Sequence, residues 1–259
     1  MNDYIGADGL LYCGKCHTPK QCRLSTYWGE DIVYHMCKCE SDKYNAKREQ
    51  VRRNTMGMRI SEMRGECFSD SALRRCTFDA DDGGMPEISE ICRKYVRNFD
   101  TFRERGEGLL LYGSCGSGKT FYAACIANAV IDRYGYPALV TSFPQIVNQT
   151  LDEQARTINS LERYALLVLD DLGVERRSGS GYMQEMIYSI VDKRIRSGLP
   201  MIVTTNLTKD EIKKPKEIDY KRIYDRIMEK TVPVEVNGMN RRYRKFNDTI
   251  GEYREILGM

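Results

Sequence analysis

The sequence has no apolar stretch approaching the ~18 residues that span a membrane, so no membrane partner is expected. Residues Met1 to Pro19 hold no basic segment followed by an apolar one, so no secretory leader is expected. No charge sign dominates: 40 Lys+Arg face 37 Asp+Glu, a net charge of +3. That excludes a polycationic, histone-like chain, although a local basic patch can hide inside a near-neutral total. Cysteine is too scarce for a disulfide scaffold, at 10 in 259 residues against the roughly 8–10% that marks one. There is no internal repeat and no low-complexity tract. With 41% hydrophobic and 10% aromatic residues, the chain can bury a real core, as one domain or as a small module attached to a larger one. The expected setting is a soluble, cytoplasmic one, where thiols stay reduced and clustered cysteines bind metal rather than pair.

What is present is unevenly placed. Five of the ten cysteines fall between Cys13 and Cys39. Cys13 and Cys16 form a CxxC pair, and Cys37 and Cys39 form a CxC pair after 20 intervening residues. Four thiolates in two close pairs suit tetrahedral Zn²⁺, in a structural role because no coordination position stays open. A segment of this size has too little core to fold without such a staple. His17, Cys22 and His35 remain open as replacements for one ligand, His35 first. Tyr27 and Trp28 fall between the pairs, either as a small core of the module or as a tip that touches a partner. Cys67, Cys76, Cys92, Cys115 and Cys125 show no metal spacing and read as small buried residues or as a variable loop position.

A basic stretch follows. From Lys43 to Arg64 there are seven Lys/Arg and two acids, Glu49 and Glu62, as in a solvated helix or a linker. Asp81-Asp82-Gly83-Gly84 with Pro86 marks a turn. Ile88, Ile91, Tyr95 and Phe99 then recur at helical spacing, which predicts a helix over about residues 87–103. From Gly108 the pattern becomes α/β. Strands are expected at 109–112, 138–141, 165–170, 201–204 and 232–236, with helices over roughly 119–133, 143–162 and 181–196. Apolar strands joined by helices predict a parallel sheet buried on both faces.

Gly113-Ser114-Cys115-Gly116-Ser117-Gly118-Lys119-Thr120 fits GxxxxGK[ST] at every fixed position, between an apolar strand and a helical segment. Glycines let backbone N–H groups wrap phosphates, and the helix N-terminus adds its positive end. Lys119 is expected to reach the β/γ-phosphates, and the Thr120 hydroxyl to ligate Mg²⁺. About 50 residues on, Ala165 to Leu169 runs into Asp170-Asp171. There Asp170 would hold Mg²⁺, and Asp171 would polarise an attacking water. The strand from Met201 ends in Thr204-Thr205-Asn206, where Thr205 or Asn206 would face the γ-phosphate or the water.

Residues about 75–250 resemble the AAA+ ATPase domain of the DnaC/DnaI-type replicative helicase loaders, and the related IstB-type transposition ATPases share much of it. The likeness is carried by Leu109–Tyr112 running into the phosphate loop, by Ala123–Asn128, by the Asp-Asp pair within 166–173, and by 202–207. The resemblance implies an AAA+ P-loop fold with a central parallel sheet flanked by helices. The domains would be a zinc-binding module at 1–42, a basic linker or helix at 43–75, and an ATPase domain at 76–259. Asp170 and Asp171 would form Walker B, and Asn206 sensor 1. Arg226, with Arg222 one turn away, would be an arginine finger acting on a neighbouring subunit, which requires self-association through the ATP site. Arg242, with Arg241 close behind, would be sensor 2.

The implied function is ATP-dependent loading of a replicative DNA helicase onto single-stranded DNA. The cofactors would be ATP, Mg²⁺ and Zn²⁺, and hydrolysis would be slow and switch-like. The competing readings are an IstB-like transposition regulator and a zinc-module adaptor with a structural ATP site. From Lys213 to Lys245 there are eleven Lys/Arg against five Asp/Glu. Tyr220, Tyr224, Tyr243 and Phe246 lie there, and Tyr44 lies in the earlier basic stretch. Basic and aromatic residues together fit single-strand tracking and base stacking, and fit a solvated surface equally well.

Overall fold

The computed structural model describes residues 2–173, 181–215, 218–238 and 240–259; the side chains at 181, 218, 219, 242, 244–248 and 252 stand outside that description. The chain divides into two compact units, Met1–Arg59 and Ile60–Met259.

The first unit opens with β1 (Tyr4–Ile5) paired antiparallel to β2 (Leu11–Tyr12). A longer hairpin follows, β3 (Gln21–Thr26) against β4 (Gly29–Tyr34). Among the described residues of this unit, the buried apolar side chains are Cys13 and Cys37. A unit with so little buried hydrocarbon depends on whatever joins its thiols. Tyr27 and Trp28 form the hairpin turn and are 92% and 91% exposed. They stack edge to face on one another at 5.2 Å. They are a tip and not a core, because a two-residue turn projects its side chains past the end of the hairpin.

The basic stretch is helical, as α1 (Lys38–Cys67). An i,i+4 pair between Glu49 and Arg53, at 3.1 Å, supports its exposed surface. Its last turns belong to the second unit, where Ile60 and Met63 pack on the core.

The expected helix over 87–103 is two helices, α2 (Pro86–Arg97) and α3 (Phe99–Arg105). Asn98 separates them because its side-chain amide donates to the Lys94 carbonyl at 2.9 Å and so ends α2. The strands are β5 (Gly108–Tyr112), β6 (Ala138–Ser142), β7 (Leu166–Leu172), β8 (Met201–Thr205) and β9 (Thr231–Glu235). They form one sheet of order β6-β7-β8-β5-β9, with every pairing parallel.

The remaining helices are α4 (Lys119–Tyr134), α5 (Phe143–Val147), α6 (Leu151–Ser160), α7 (Gly181–Arg196), α8 (Lys209–Lys213), α9 (Ile218–Lys230) and α10 (Arg241–Leu257). The segment expected as one helix over 143–162 is thus α5 and α6. A capping box of Thr150 with Glu153 starts the second helix afresh.

The strands alternate between two cores. Leu109 and Leu111 face the core shared with α2 and α4, while Leu110 and Tyr112 face the one shared with α7 and α9. Each such side chain contributes about 1.5–3 kcal/mol when fully buried. Tyr220 and Tyr224 are both 2% exposed in the second core. They are therefore unavailable for base stacking, since apolar residues at helical spacing on α9 face the sheet. Tyr44 and Tyr243 are exposed, and the side chain of Phe246 lies outside the described residues.

Arg194 is 0% exposed. Its guanidinium donates to Pro200 O at 2.8 and 3.1 Å, to Leu161 O at 2.7 Å and to Tyr164 O at 2.9 Å. Burial pulls its pKa down to about 9, which leaves it charged at neutral pH. It ties the segment before β7 to the residue before β8 and so sets where both strands begin. Arg194→Met is expected to remove four charge-assisted hydrogen bonds to three backbone carbonyls and to cost about 3 kcal/mol or more. Urea unfolding should show a lower midpoint with an unchanged slope.

Candidate functional site

The carboxyl ends of β5, β7 and β8 meet at the start of α4. Gly113 has φ +140°, and a Cβ there would lie 2.5 Å from the Val236 carbonyl oxygen. Gly116 has φ +77°, and a Cβ there would lie 2.1 Å from the Asn240 side chain. Only glycine lets the loop pass so close to the segment after β9. That segment is stitched to the loop: Ser114 N–H donates to Asn237 Oδ1 at 3.3 Å, and Arg241 N–H donates to Gly116 O at 3.0 Å. Gly118 precedes α4 without any side-chain cap, which leaves the first N–H groups of the helix open to an anion. The Ser117 hydroxyl is buried with no hydrogen-bond partner among the described residues. Lys119 is 5% exposed. Its ammonium donates to Gly113 O at 3.0 Å and to Ser114 O at 2.7 Å.

β7 carries a bulge where the two aspartates stand. Leu169 pairs with Val203 and Leu172 with Thr205, so three steps on β7 span two on β8. Asp171 takes up the extra residue at φ +57°, a conformation rare outside glycine, asparagine and aspartate. Thr204 serves both acids: its hydroxyl donates to Asp170 Oδ1 at 2.6 Å and accepts from Asp171 N–H at 2.9 Å. The Thr120 hydroxyl donates to Asp170 at 2.9 and 3.1 Å. An aspartate and a hydroxyl in contact make an oxygen pair of the kind Mg²⁺ takes. The Asp170 pKa is raised, first by burial and then, against the Thr204 hydrogen bond, by the charge of Asp171. The Asn206 side-chain amide lies 3.5 Å from Asp171 Oδ1.

A cavity of about 330 Å³ is lined by Cys115, Gly116, Gly118, Lys119, Thr120, Asp171, Asn206 and Arg241, with Leu73, Cys76 and Phe121. The fold thus brings the loop, Lys119, Thr120, both aspartates and Asn206 together. Thr205 does not join them. It is 0% exposed, and its hydroxyl donates to Leu172 O at 2.6 Å. Arg226 lies elsewhere, on α9, held by Asp192 at 3.2 Å and Glu229 at 3.1 Å; Arg222, one turn earlier, is exposed. The side chain of Arg242 lies outside the described residues. Sequence reasoning missed the role of Thr204, whose signal is a hydroxyl inside an otherwise apolar buried strand. Arg241, the neighbour of the preferred Arg242, lines the cavity.

In the first unit the sulfurs of Cys13, Cys16, Cys37 and Cys39 all lie within 4.8 Å of one another. Cys13 to Cys39 is 3.7 Å, and Cys37 to Cys39 is 3.4 Å. The edge of a tetrahedron with Zn–S bonds near 2.3 Å is about 3.8 Å, so the donor set fits zinc. Thr18 braces both pairs, with its hydroxyl 3.1 Å from Cys16 Sγ and accepting from Lys38 N–H at 2.9 Å. The Thr18 hydroxyl, followed by backbone N–H groups, lowers Cys16 to about 5. Burial pushes Cys37 up to about 12. His17, Cys22 and His35 are not in the group. The ring of His17 meets the Tyr4 hydroxyl at 3.2 Å, His35 turns to the Met36 carbonyl at 3.1 Å, and Cys22 sits on β3 opposite Val33.

Residues 33–248 match the family described as IstB-like ATP binding protein. The replicative helicase loader DnaI of Bacillus subtilis (strain 168) is 26% identical over 232 residues, which covers 82% of this chain and 70% of that protein. A crystal structure of DnaI superposes with a TM-score of 0.56 at 22% identity, over 69% of this chain and 98% of that one. A crystal structure of the DnaC helicase loader gives 0.54 at 23% identity, over 65% and 100%. The structural likeness establishes the AAA+ fold expected from the sequence.

Two substitutions at the bulge should move stability in opposite directions. Thr204→Val removes the partner of a buried N–H and should cost about 1–3 kcal/mol. Asp170→Asn removes a buried charge beside Asp171 and should raise the unfolding midpoint of the nucleotide-free chain. Because the folded pKa of Asp170 is raised, its contribution favours folding at low pH and is lost as pH rises through that value. The advantage of Asp170→Asn should therefore be greatest at neutral pH and shrink on acidification, as read by urea unfolding across pH.

Proposed function

Since the chain belongs to the IstB-like ATP-binding family, we propose that it is an ATPase that loads a replicative DNA helicase onto single-stranded DNA. The observation that carries this reading is the joint placement of Lys119, Thr120, Asp171 and Asn206 around one cavity, with Asp170 hydrogen-bonded to Thr120. The relative named as a replicative helicase loader supports the choice of partner. The same chemistry in a transposition regulator is the lesser reading, because the similar protein of known name is a replicative helicase loader.

The loop N–H groups and Lys119 bind the phosphates of ATP. Thr120 and Asp170 hold Mg²⁺, which when bound neutralises phosphate charge and orients the γ-phosphoryl group. Asp171 aligns the attacking water and draws on its proton, steadied by Asn206. Aspartate reaches less far than glutamate, which fits a slow, partner-controlled switch. Arg226 supplies positive charge to the ATP of an adjacent subunit, so the active form is an oligomer. Arg242 would act in cis as sensor 2. The exposed basic surface of α1, with Tyr44, suits single-stranded DNA. The cysteine unit holds zinc for folding, and its exposed Tyr27-Trp28 tip suits a protein partner. The setting is cytoplasmic, where thiols stay reduced and able to hold a metal.

Two measurements test this. Metal analysis of purified protein should find zinc equimolar with the chain; Cys39→Ser should lose it, and Cys22→Ser should retain it. In a loading assay on single strands coated with binding protein, the chain should place its replicative helicase only with ATP. Lys119→Ala should abolish turnover and lower loading by at least about tenfold. Unchanged loading by Lys119→Ala would refute the switch and leave an adaptor.

A further inference from the structure

Arg241 joins three separate parts of the second unit beside the nucleotide cavity. Its guanidinium lies 3.2 Å from Asp82 Oδ1 and 3.8 Å from Asp81 Oδ1. It donates to the Tyr122 hydroxyl at 3.1 Å and stands 5.4 Å from the centre of the Tyr122 ring. Tyr122 in turn donates to both oxygens of Asp81 at 3.3 Å. The Asp81 side chain is only 5% exposed and that of Arg241 23%. A carboxylate this buried is costly unless its charge is met, and Arg241 is the cation that meets it. The two aspartates form the turn before α2, Tyr122 is in the first turn of the phosphate-loop helix α4, and Arg241 is the first residue of α10. The backbone N–H of Arg241 also donates to Gly116 O of the loop itself, at 3.0 Å.

We propose that Arg241 is a positioning residue of the nucleotide site: with Asp81, Asp82 and Tyr122 it latches the start of α10 and the 81–84 turn onto the phosphate-loop helix, and this latch sets nucleotide affinity. The inference rests on the ATP reading above. Arg241 does its work through where it holds the chain. The first turn of α10, which carries Arg242, can close the cavity only while the buried Asp81 charge is matched. A direct phosphate ligand would behave in the opposite way toward its acidic neighbours. Freed from Asp81 it would bind phosphate better, whereas a latch freed from Asp81 is broken.

The test uses the full chain with Mg²⁺ and a fluorescent ATP analogue. Arg241→Ala should weaken binding by about tenfold, raising KM while kcat at saturating ATP changes by less than about twofold. Asp81→Asn should weaken binding in the same direction. The double variant should be no weaker than the poorer single one, because both remove one interaction. Arg241→Lys should rescue only in part, since one ammonium cannot span both acids and the tyrosine. Without nucleotide, hydrogen exchange of the α10 amides should speed up in both single variants. Tighter binding by Asp81→Asn, or an Arg241→Ala affinity equal to the parent's, would overturn the latch. Lys119→Ala serves as the separate control. If it binds the analogue like the parent, the ATP reading fails, while the nucleotide-free exchange data still decide whether the latch exists.

Discussion

One extra residue in β7 governs the geometry of the site. The bulge between Leu169 and Leu172 breaks the side-chain alternation of a buried strand, so two consecutive aspartates both reach the end of the sheet. The cost is a left-handed Asp171 and a backbone N–H that the ladder no longer satisfies. The Thr204 hydroxyl meets that N–H and the Asp170 carboxylate together. A single side chain on β8 therefore holds both acids, and the sheet order that puts β8 between β7 and β5 brings them to Lys119 and Thr120. The Asp170 pKa is raised first by burial and then by the Asp171 charge that the bulge brings beside it, so the site is held at some expense to stability.

The two units are held by different physics. The second has two apolar cores on either side of a parallel sheet, and the buried Arg194 guanidinium and Asn128 amide nitrogen donate to backbone carbonyls. The first has almost no buried hydrocarbon among its described residues, and its centre is four converging sulfurs. That contrast explains why its largest aromatics stand on the outside. With no core for Tyr27 and Trp28 to enter, they remain at the turn, open to a partner.

Much of this was legible beforehand. The five strands of the sheet lie within about two residues of their expected places, because apolar runs of four to six residues between helical segments have few other folds. The phosphate loop was legible because its glycines and Lys-Thr pair stand at fixed spacing. The breaks at Asn98 and Thr150 were not anticipated, since a side chain that caps a helix competes with a periodicity that runs straight through it. The burial of Tyr220 and Tyr224 was missed for a related reason: surrounding arginines and lysines made the segment look exposed, while the apolar face of α9 lay inside.

By itself, the sequence determined the chemistry: a loop that can wrap phosphate, a pair of acids after a buried strand, and two cysteine pairs at metal spacing. Each is a local pattern, fixed by neighbours along the chain. Tertiary structure alone decided which distant residues complete them. Thr204 meets the acids across a strand pair, and Arg241 meets Asp81, Asp82 and Tyr122 from the far end of the chain. The four sulfurs converge where the fold sets the two pairs side by side, with Thr18 in contact with both segments. Such contacts depend on sheet order and on charges that burial leaves in need of a partner, and neither is written in local spacing.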